Sequence, residues 1–568
     1  MARGGARLRG ETGAVRKEWG GRKRVALVFP NAYSVGMSNL GFLLVHAQVN
    51  ARPDALCERA FLSPAVGGTA PAPGRGKGAA PAGAAAGTTL ESGRPLSDFD
   101  IVAFALSFEN DLPNLPGILA AGGVPPFRAD RAASGVRHPL VVAGGFAASL
   151  NPEPCGAFAD AVAVGDGERA VESLLDLEAG DPADAGFLRT LSGIPGMYVP
   201  GGYLPVYEEG GSPGAGRLID LPPLSGFPRR VAREAIDPEG LPPPPPVVLA
   251  EETALGSMSL VETSRGCPRM CGFCAASHAC PAFREFPLER VRAAVDAAWP
   301  HRRKVGLIGA AVLDWRPFRT LAREILDRGG SVSPASVRAE KVDAEIAEIL
   351  ARSGHRTVAL APECGDARLR ARIGKPLPDA AFFEAAETLV RAGIVSFKLY
   401  FLVGLPGADR EEEVGGISGF LREFRGRVLA EARAAGRMGT VTAVLSPFVP
   451  KPFTPLQWAA MAAEDELRAR EEEIAAFARN VPNLRVSLER PRDALLQGYL
   501  GLGDRRAAED LRGARRAGSP GSAPGLRARM DAVVHREKDA GEFFPWDVVE
   551  GGPAKGALRA RYDAYRKG

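Results

Sequence analysis

Met258-Ser-Leu-Val-Glu-Thr-Ser-Arg-Gly-Cys267-Pro-Arg-Met-Cys271-Gly-Phe-Cys274 is a short apolar strand that runs directly into a loop of three cysteines. The strand, 259–263, opens a regular alternation. Further strands are predicted at 305–311, 332–337, 357–362, 396–403 and 440–445. Between them apolar residues recur at helical spacing: Leu288, Val291 and Val295; Phe318, Leu321 and Ile325; Val342, Ile346, Ile349 and Leu350; Phe382, Phe383, Leu389 and Val390; Val414, Ile417, Phe420 and Leu421; then Leu467 to Phe477. Strand followed by helix, six times over, predicts an α/β fold with a partial (β/α)6 barrel of the TIM type across 249–484. Chemistry in such barrels sits at the C-terminal ends of the strands, which is where the cysteine loop falls.

The cysteines are spaced three and two residues apart. Three thiolates on one loop can wrap a single iron–sulfur cluster and leave one iron of a cubane without a protein ligand. An open coordination position is what a catalytic metal needs, whereas a structural metal is closed by four ligands. The plainer alternative is a zinc site completed by Cys280, Cys364 or His278. Zinc motifs usually pair two Cys-x-x-Cys or Cys/His units, and no second pair stands in this sequence.

Cys-x-x-x-Cys-x-aromatic-Cys after a first barrel strand, with Phe273 at the aromatic position, resembles the radical S-adenosylmethionine superfamily. Ser333-Pro-Ala-Ser-Val-Arg338, Leu360-Ala-Pro-Glu-Cys-Gly365, Ile373-Gly-Lys-Pro376, Lys398 to Gly407 and Gly503-Asp-Arg-Arg506 are similar to stretches of its poorly characterised members that carry a degenerate cobalamin-type domain. The resemblance implies a 4Fe–4S cluster on Cys267, Cys271 and Cys274, and S-adenosylmethionine chelated at the open iron. One-electron cleavage would then give a 5′-deoxyadenosyl radical that takes a hydrogen atom from substrate, with a flavodoxin or ferredoxin as electron donor. It also implies cofactor contacts. Arg338, with Ser336 beside it, is placed to meet the methionine carboxylate, and Glu363 the ammonium or ribose hydroxyls. Gly309 is all that remains of a Gly-Gly-Glu stretch, so only backbone is left there for the cofactor amine. Val403 and Gly404 resemble the adenine-packing stretch. Each has a bland counterpart: a surface arginine, a helix N-terminal carboxylate, and core valine.

Ahead of the barrel, 24–240 reads as a Rossmann-like parallel-sheet domain. Strands are predicted at 24–29, 100–107, 140–145 and 161–165, and near-continuous apolar runs imply cover on both faces. The stretch 25–168 resembles a cobalamin-binding domain. Such domains carry Asp-x-His-x-x-Gly after the first strand, but the loop here is Phe29-Pro-Asn-Ala-Tyr-Ser-Val-Gly36. His46 lies in the helix beyond and is expected to pack or face solvent. The missing axial histidine speaks against cobalamin and for a scaffold or substrate-docking domain. Asn151-Pro-Glu-Pro154 and Gly165-Asp-Gly-Glu168 are read as strand-capping turns. A Gly/Ala/Pro-rich tract at about 64–95 is expected to be a disordered insertion, and Pro242 to Pro246 a linker, assigned to 241–248. The basic tail 1–23 and the C-terminal region 485–568 remain without a derived fold.

The 568 residues hold 45% hydrophobic and 24% charged residues with a net charge of +4, which points to soluble globular domains rather than a nucleic-acid-binding surface. Basic clusters at both ends read as solvated surface in preference to an RNA footprint, and RNA, protein and small metabolites all stay open as substrate. Without a signal-peptide core or an apolar run of about 18 residues, a cytoplasmic protein with no membrane partner is expected. Two competing readings stay open: a cobalamin-dependent radical methyl or alkyl transferase, and a non-catalytic iron–sulfur or zinc protein.

Overall fold

The computed structural model describes residues 10–567 apart from 64–85, 209–215, 242, 243, 246, 281, 435 and 517–525, with side chains left out for 512–516. Much of the expected insertion and part of the proline linker therefore lie outside the described residues.

The N-terminal sheet grows from β2 (Lys23–Phe29), whose last five residues, Val-Ala-Leu-Val-Phe, are all buried. Helix α1 (Leu40–Ala51) leads to β3 (Ala55–Phe61), and then come β4 (Ile101–Ala105), β5 (Leu140–Gly144), β6 (Ala161–Ala163) and β7 (Met197–Tyr198). The sheet order is β3-β2-β4-β5-β6-β7. All neighbours run parallel except β7, which closes the edge antiparallel. β3 is absent from the sequence-based prediction because Glu58-Arg59 interrupts its apolar run. In the fold, Arg59 is fully buried between Glu11 at 2.7 Å and Glu91 at 2.6 Å, the pairing that a buried charge requires.

The tail, for which the sequence yields no fold, is ordered from Glu11 onward: β1 (Glu11–Thr12) pairs antiparallel with β9 (Leu249–Ala250). The expectation of disorder is corrected at 86–95. Thr88 bridges Pro95, Thr89 is fully buried, and Thr89 and Ser92 both donate to the Glu58 carboxylate. Polar residues of low hydropathy order here through hydrogen bonds rather than apolar burial.

After β8 (Val231–Ala232) and β9 comes the strand–helix series. It comprises β10 (Ser259–Glu262), α2 (Leu288–Ala298), β11 (Lys304–Ile308), α3 (Phe318–Asp327), β12 (Ser331–Pro334), α4 (Ala344–Arg352), β13 (Thr357–Glu363), α5 (Asp379–Arg391), β14 (Ser396–Val403), α6 (Arg410–Ala434), β15 (Val441–Pro447), α7 (Glu464–Arg479) and β16 (Leu484–Leu488). All pairings are parallel, but hydrogen bonding divides the strands into β10-β11-β12 and β13-β14-β15-β16. The seventh strand carries the series past the expected limit at 484. Alternation along β14 shows the period-2 logic: Phe397, Leu399, Phe401 and Val403 are buried, while Lys398 and Tyr400 stay exposed. The buried set meets Phe420 and Phe424 of α6 edge-on, with ring centroids 5.3–5.8 Å apart. The C-terminal region is helical, with α8 (Pro491–Leu502), α9 (Arg505–Arg516), a helix at Leu526–Val534 and α10 (Lys555–Lys567); just before α10, β17 (Val549–Glu550) pairs with β8. Among the described residues no helix is long and apolar enough to cross a membrane.

Candidate active site

The cysteine loop is pinched at its base. Ser264 and Arg265 pair antiparallel with Glu285 and Arg284, so the chain between them closes as an excursion from the end of β10. Arg265 fastens that base. Its guanidinium donates to Glu262 at 2.8 Å and Glu168 at 2.6 Å and lies 3.0 Å from Asp166. Arg284 reaches Asp166 and the Ile236 carbonyl, each at 2.6 Å. Burial opposes the Arg265 charge, but the Glu262 and Glu168 carboxylates outweigh it and hold the guanidinium protonated. Asp166 and Glu168 are thus more than turn residues, because they join the N-terminal sheet to the cysteine loop.

Above the base, the loop rests on the Ile373-Gly-Lys-Pro stretch. Gly272 N–H donates to Ile373 O at 2.7 Å, and Leu456 N–H donates to Gly272 O at 3.2 Å. Gly374, at φ +77°, lies so close that an added Cβ would come within 3.0 Å of Met270 O. From the other side Arg561 of α10 donates to the same Met270 carbonyl at 2.5 Å.

Cys271 is buried, and Cys267 and Cys274 are half-buried. Burial pushes the Cys271 thiol up, opposed by the nearby Lys375 and Arg338 charges, while Glu363 and Cys267 add to the rise. Cys274 is pushed up to about 11 by burial, with Cys271, Cys267 and Glu363 adding to it. Because the metal ligand is the thiolate, the raised thiols of Cys271 and Cys274 would give up their protons as a metal centre binds. The candidates for a fourth ligand face elsewhere. Cys280 lies among Arg233, Asp166 and Arg284, and Cys364 is buried beside Arg370 and Glu413. His278 Nε2 donates to the Cys271 carbonyl at 3.0 Å, and burial lowers its pKa to about 4. The donor set fits a three-cysteine cluster.

The remaining expected residues divide. Glu363 ends β13 in a left-handed conformation, φ +64°, one of three such non-glycine residues among the described ones. The β13–β14 register also shifts just before it. A bulge re-aims a side chain, and backbone strain of this kind persists where surrounding structure imposes it. Its partner was missed in the sequence: Lys375 Nζ donates to Glu363 at 3.0 Å and to Ala361 O at 2.6 Å. Its place in the Ile-Gly-Lys-Pro motif was the only signal that Lys375 gave. Arg338 lies by the cysteine loop but is engaged by Glu340 at 2.6 Å, and Ser336 donates to Ala310 O at 3.2 Å. At Gly309 a Cβ would sit 2.7 Å from Ser264 Oγ, a buried hydroxyl without a partner among the described residues. Phe273 is half-buried against the core.

The Val403 side chain is fully buried in the core. Gly404 has φ +78° and a Cβ there would come within 2.6 Å of Leu467 on α7. Its N–H and that of Leu405 donate to the buried carboxylate of Glu413, which Arg470 pairs at 2.8 Å. The glycine serves helix docking. A cavity of about 330 Å³ lies away from the cysteines, between α1 and the start of the strand series, with Leu40, Leu44, Val247, Arg290 and Ala294 in its wall.

Two family profiles match this arrangement: radical SAM proteins, N-terminal, over residues 41–200, and the radical SAM superfamily over residues 261–414. The second spans the cysteine loop, Arg338 and Glu363. The chain belongs to the radical SAM superfamily. The family implies a 4Fe–4S cluster and S-adenosylmethionine. The uncharacterised protein MJ0966 of Methanocaldococcus jannaschii is 28% identical over 295 residues, 51% of this chain, and the match spans 62% of that relative's length. Among solved structures, the radical S-adenosylmethionine methyltransferase TsrM from Kitasatospora setae, with cobalamin and a [4Fe-4S] cluster bound, overlaps at TM-score 0.46 and 15% identity, covering 78% of this chain and 76% of that one. The cobalamin-dependent radical enzyme OxsB overlaps at TM-score 0.43 and 14% identity, covering 70% and 52%. At these scores the overlaps fix no shared activity or ligand.

Proposed function

We propose that this radical SAM enzyme holds its 4Fe–4S cluster on Cys267, Cys271 and Cys274 and acts on a substrate still to be identified. When bound, the cluster and S-adenosylmethionine supply reductive cleavage of the sulfonium and a 5′-deoxyadenosyl radical that removes a hydrogen atom from substrate. The chain's own residues bind and orient. The base clamp of Arg265 on Glu262, Glu168 and Asp166 fixes where the loop leaves β10. Lys375 holds Glu363 against its strained backbone, presenting a carboxylate to a cationic or hydroxyl-bearing ligand. Arg338 exchanges Glu340 for an incoming carboxylate through its planar fork. Helix α10 braces the loop, Arg561 donating to the Met270 carbonyl.

The observation that carries this reading is the donor set: three clustered cysteines on one loop, with Cys280 turned toward Arg233 and Asp166. The test is anaerobic incubation of the reconstituted protein with dithionite and S-adenosylmethionine, followed by quantification of 5′-deoxyadenosine. Product is expected from the wild type and from Cys280→Ala, and none from Cys267→Ala, Cys271→Ala or Cys274→Ala. A fully loaded cluster that yields no 5′-deoxyadenosine defeats the proposal. Loss of iron in Cys280→Ala would instead indicate a closed four-cysteine site.

A further inference from the structure

In an open parallel sheet a ligand sits outside the carboxyl ends of the strands, where the order reverses. Here that point lies between β2 and β4. It is also where the resemblance to cobalamin domains would place the axial histidine loop. The two loops that should form this crevice are instead bonded to each other. Asn31 Nδ2 donates to Asp111 at 2.7 Å, Asn114 Nδ2 to Pro30 O at 3.0 Å, and Asn39 Nδ2 to Ser107 Oγ at 2.8 Å. Two glycines near the strand ends are closed off by backbone as well. A Cβ on Gly145 would come within 2.5 Å of Leu106 O, and one on Gly165 within 2.2 Å of Glu234 O. Their φ values of +104° and +102° serve those close backbone approaches. His46 is no substitute ligand. It is fully buried on α1, 3.1 Å from Asn50 Nδ2 and 3.9 Å from Glu91.

Over the strand ends lies the chain's own C-terminal segment. Glu109, after β4, receives Lys451 at 2.5 Å and Gln497 of α8 at 3.0 Å, and Asn110 donates to Asp493 O at 3.1 Å. Two motifs left unexplained by the sequence then meet. Asn151 of Asn-Pro-Glu-Pro donates to Gly501 O at 3.1 Å and Gly503 O at 2.8 Å. Glu153 of the same motif is fully buried and takes Arg505 of Gly-Asp-Arg-Arg through two parallel bonds, at 2.7 and 3.0 Å. The Tyr198 hydroxyl donates to the same carboxylate. A bidentate pair with its carboxylate fully buried and its guanidinium largely so fixes register as well as attraction.

We infer that residues 493–505 fill the crevice in which a corrinoid would sit, so that the N-terminal domain takes no cobalamin and serves as the seat of the C-terminal segment. The inference does not depend on the cleavage chemistry proposed above. Its test uses the full-length, cluster-loaded protein, incubated anaerobically with excess hydroxocobalamin, desalted, and assayed for cobalt per chain. Hydrogen–deuterium exchange of 493–505 is followed with and without the corrinoid. The expected result is no retained cobalt and exchange in that segment at least about a hundredfold slower than in an unstructured chain, as for buried, cooperatively packed backbone. Retention near one cobalt per chain overturns the inference. So does free exchange of the segment, because a segment that leaves the crevice does not fill it.

Discussion

At the scale of single residues, the fold relies on pairs that distant strands bring together. Cys267, Cys271 and Cys274 lie within eight positions and stand as a group in the sequence itself. Glu363 and Lys375 are joined only because a bulge ends β13 and the Ile-Gly-Lys-Pro turn folds back beneath it. Neither half of that pair is well exposed, with side-chain exposures of 13% and 9%. Removing one partner of a buried pair leaves the other charge desolvated and unpaired, which costs about 3–5 kcal/mol when burial is complete. Lys375→Met is accordingly expected to lower the denaturation midpoint of the cluster-loaded protein by the equivalent of about 3 kcal/mol, and Lys375→Arg to recover most of it. Anaerobic urea titration followed by circular dichroism checks this. Unfolding of Lys375→Met at the wild-type midpoint would mean that Glu363 finds its stabilisation elsewhere.

At the scale of elements, hydrophobic period located the six expected strands and their helices, because each strand buries one face and each helix one stripe. It failed at β16, whose Leu-Arg-Val-Ser-Leu is too short and polar to stand out. Helix α7 carries a less visible consequence of packing. Glu471 is buried, and its Oε1 has no hydrogen-bond partner among the described residues. Burial first, and then the neighbouring Glu489 and Glu472, raise its pKa to about 7 against a weak opposing pull from Arg468. A carboxyl raised in the fold binds its proton more tightly there than in the unfolded chain. Stability therefore falls as pH climbs from the ordinary carboxyl range to about 7, and then levels off. Glu471→Gln removes that slope. The difference between variant and wild-type midpoints is expected to be small at pH 5 and to favour the variant at pH 8. Equal differences at both pH values would show that Glu471 ionises normally in the fold.

At the scale of the whole molecule, three charged contacts join the N-terminal sheet to the strand–helix series and the C-terminal helices. Arg265 and Arg284 meet Asp166 and Glu168, Lys451 meets Glu109, and Arg505 meets Glu153. None was readable beforehand, since the partners stand roughly one hundred to three hundred and fifty positions apart and each motif alone looks like a turn or a basic surface cluster. A chain of this length would ordinarily unfold domain by domain. Buried pairs that span two sheets oppose such separation, because parting them exposes apolar surface and strands a desolvated charge at once. Calorimetry of the cluster-loaded wild type is therefore expected to show one dominant endotherm. Arg505→Met with Lys451→Met should split it, the N-terminal sheet melting apart from the strand–helix series, while either substitution alone lowers the single midpoint. The double substitution leaves the cysteine loop and its Arg265 clamp untouched, so iron content provides the internal control for folding of that half. An unsplit endotherm in the double variant would place the coupling in the apolar contacts between the two halves instead of in these charges.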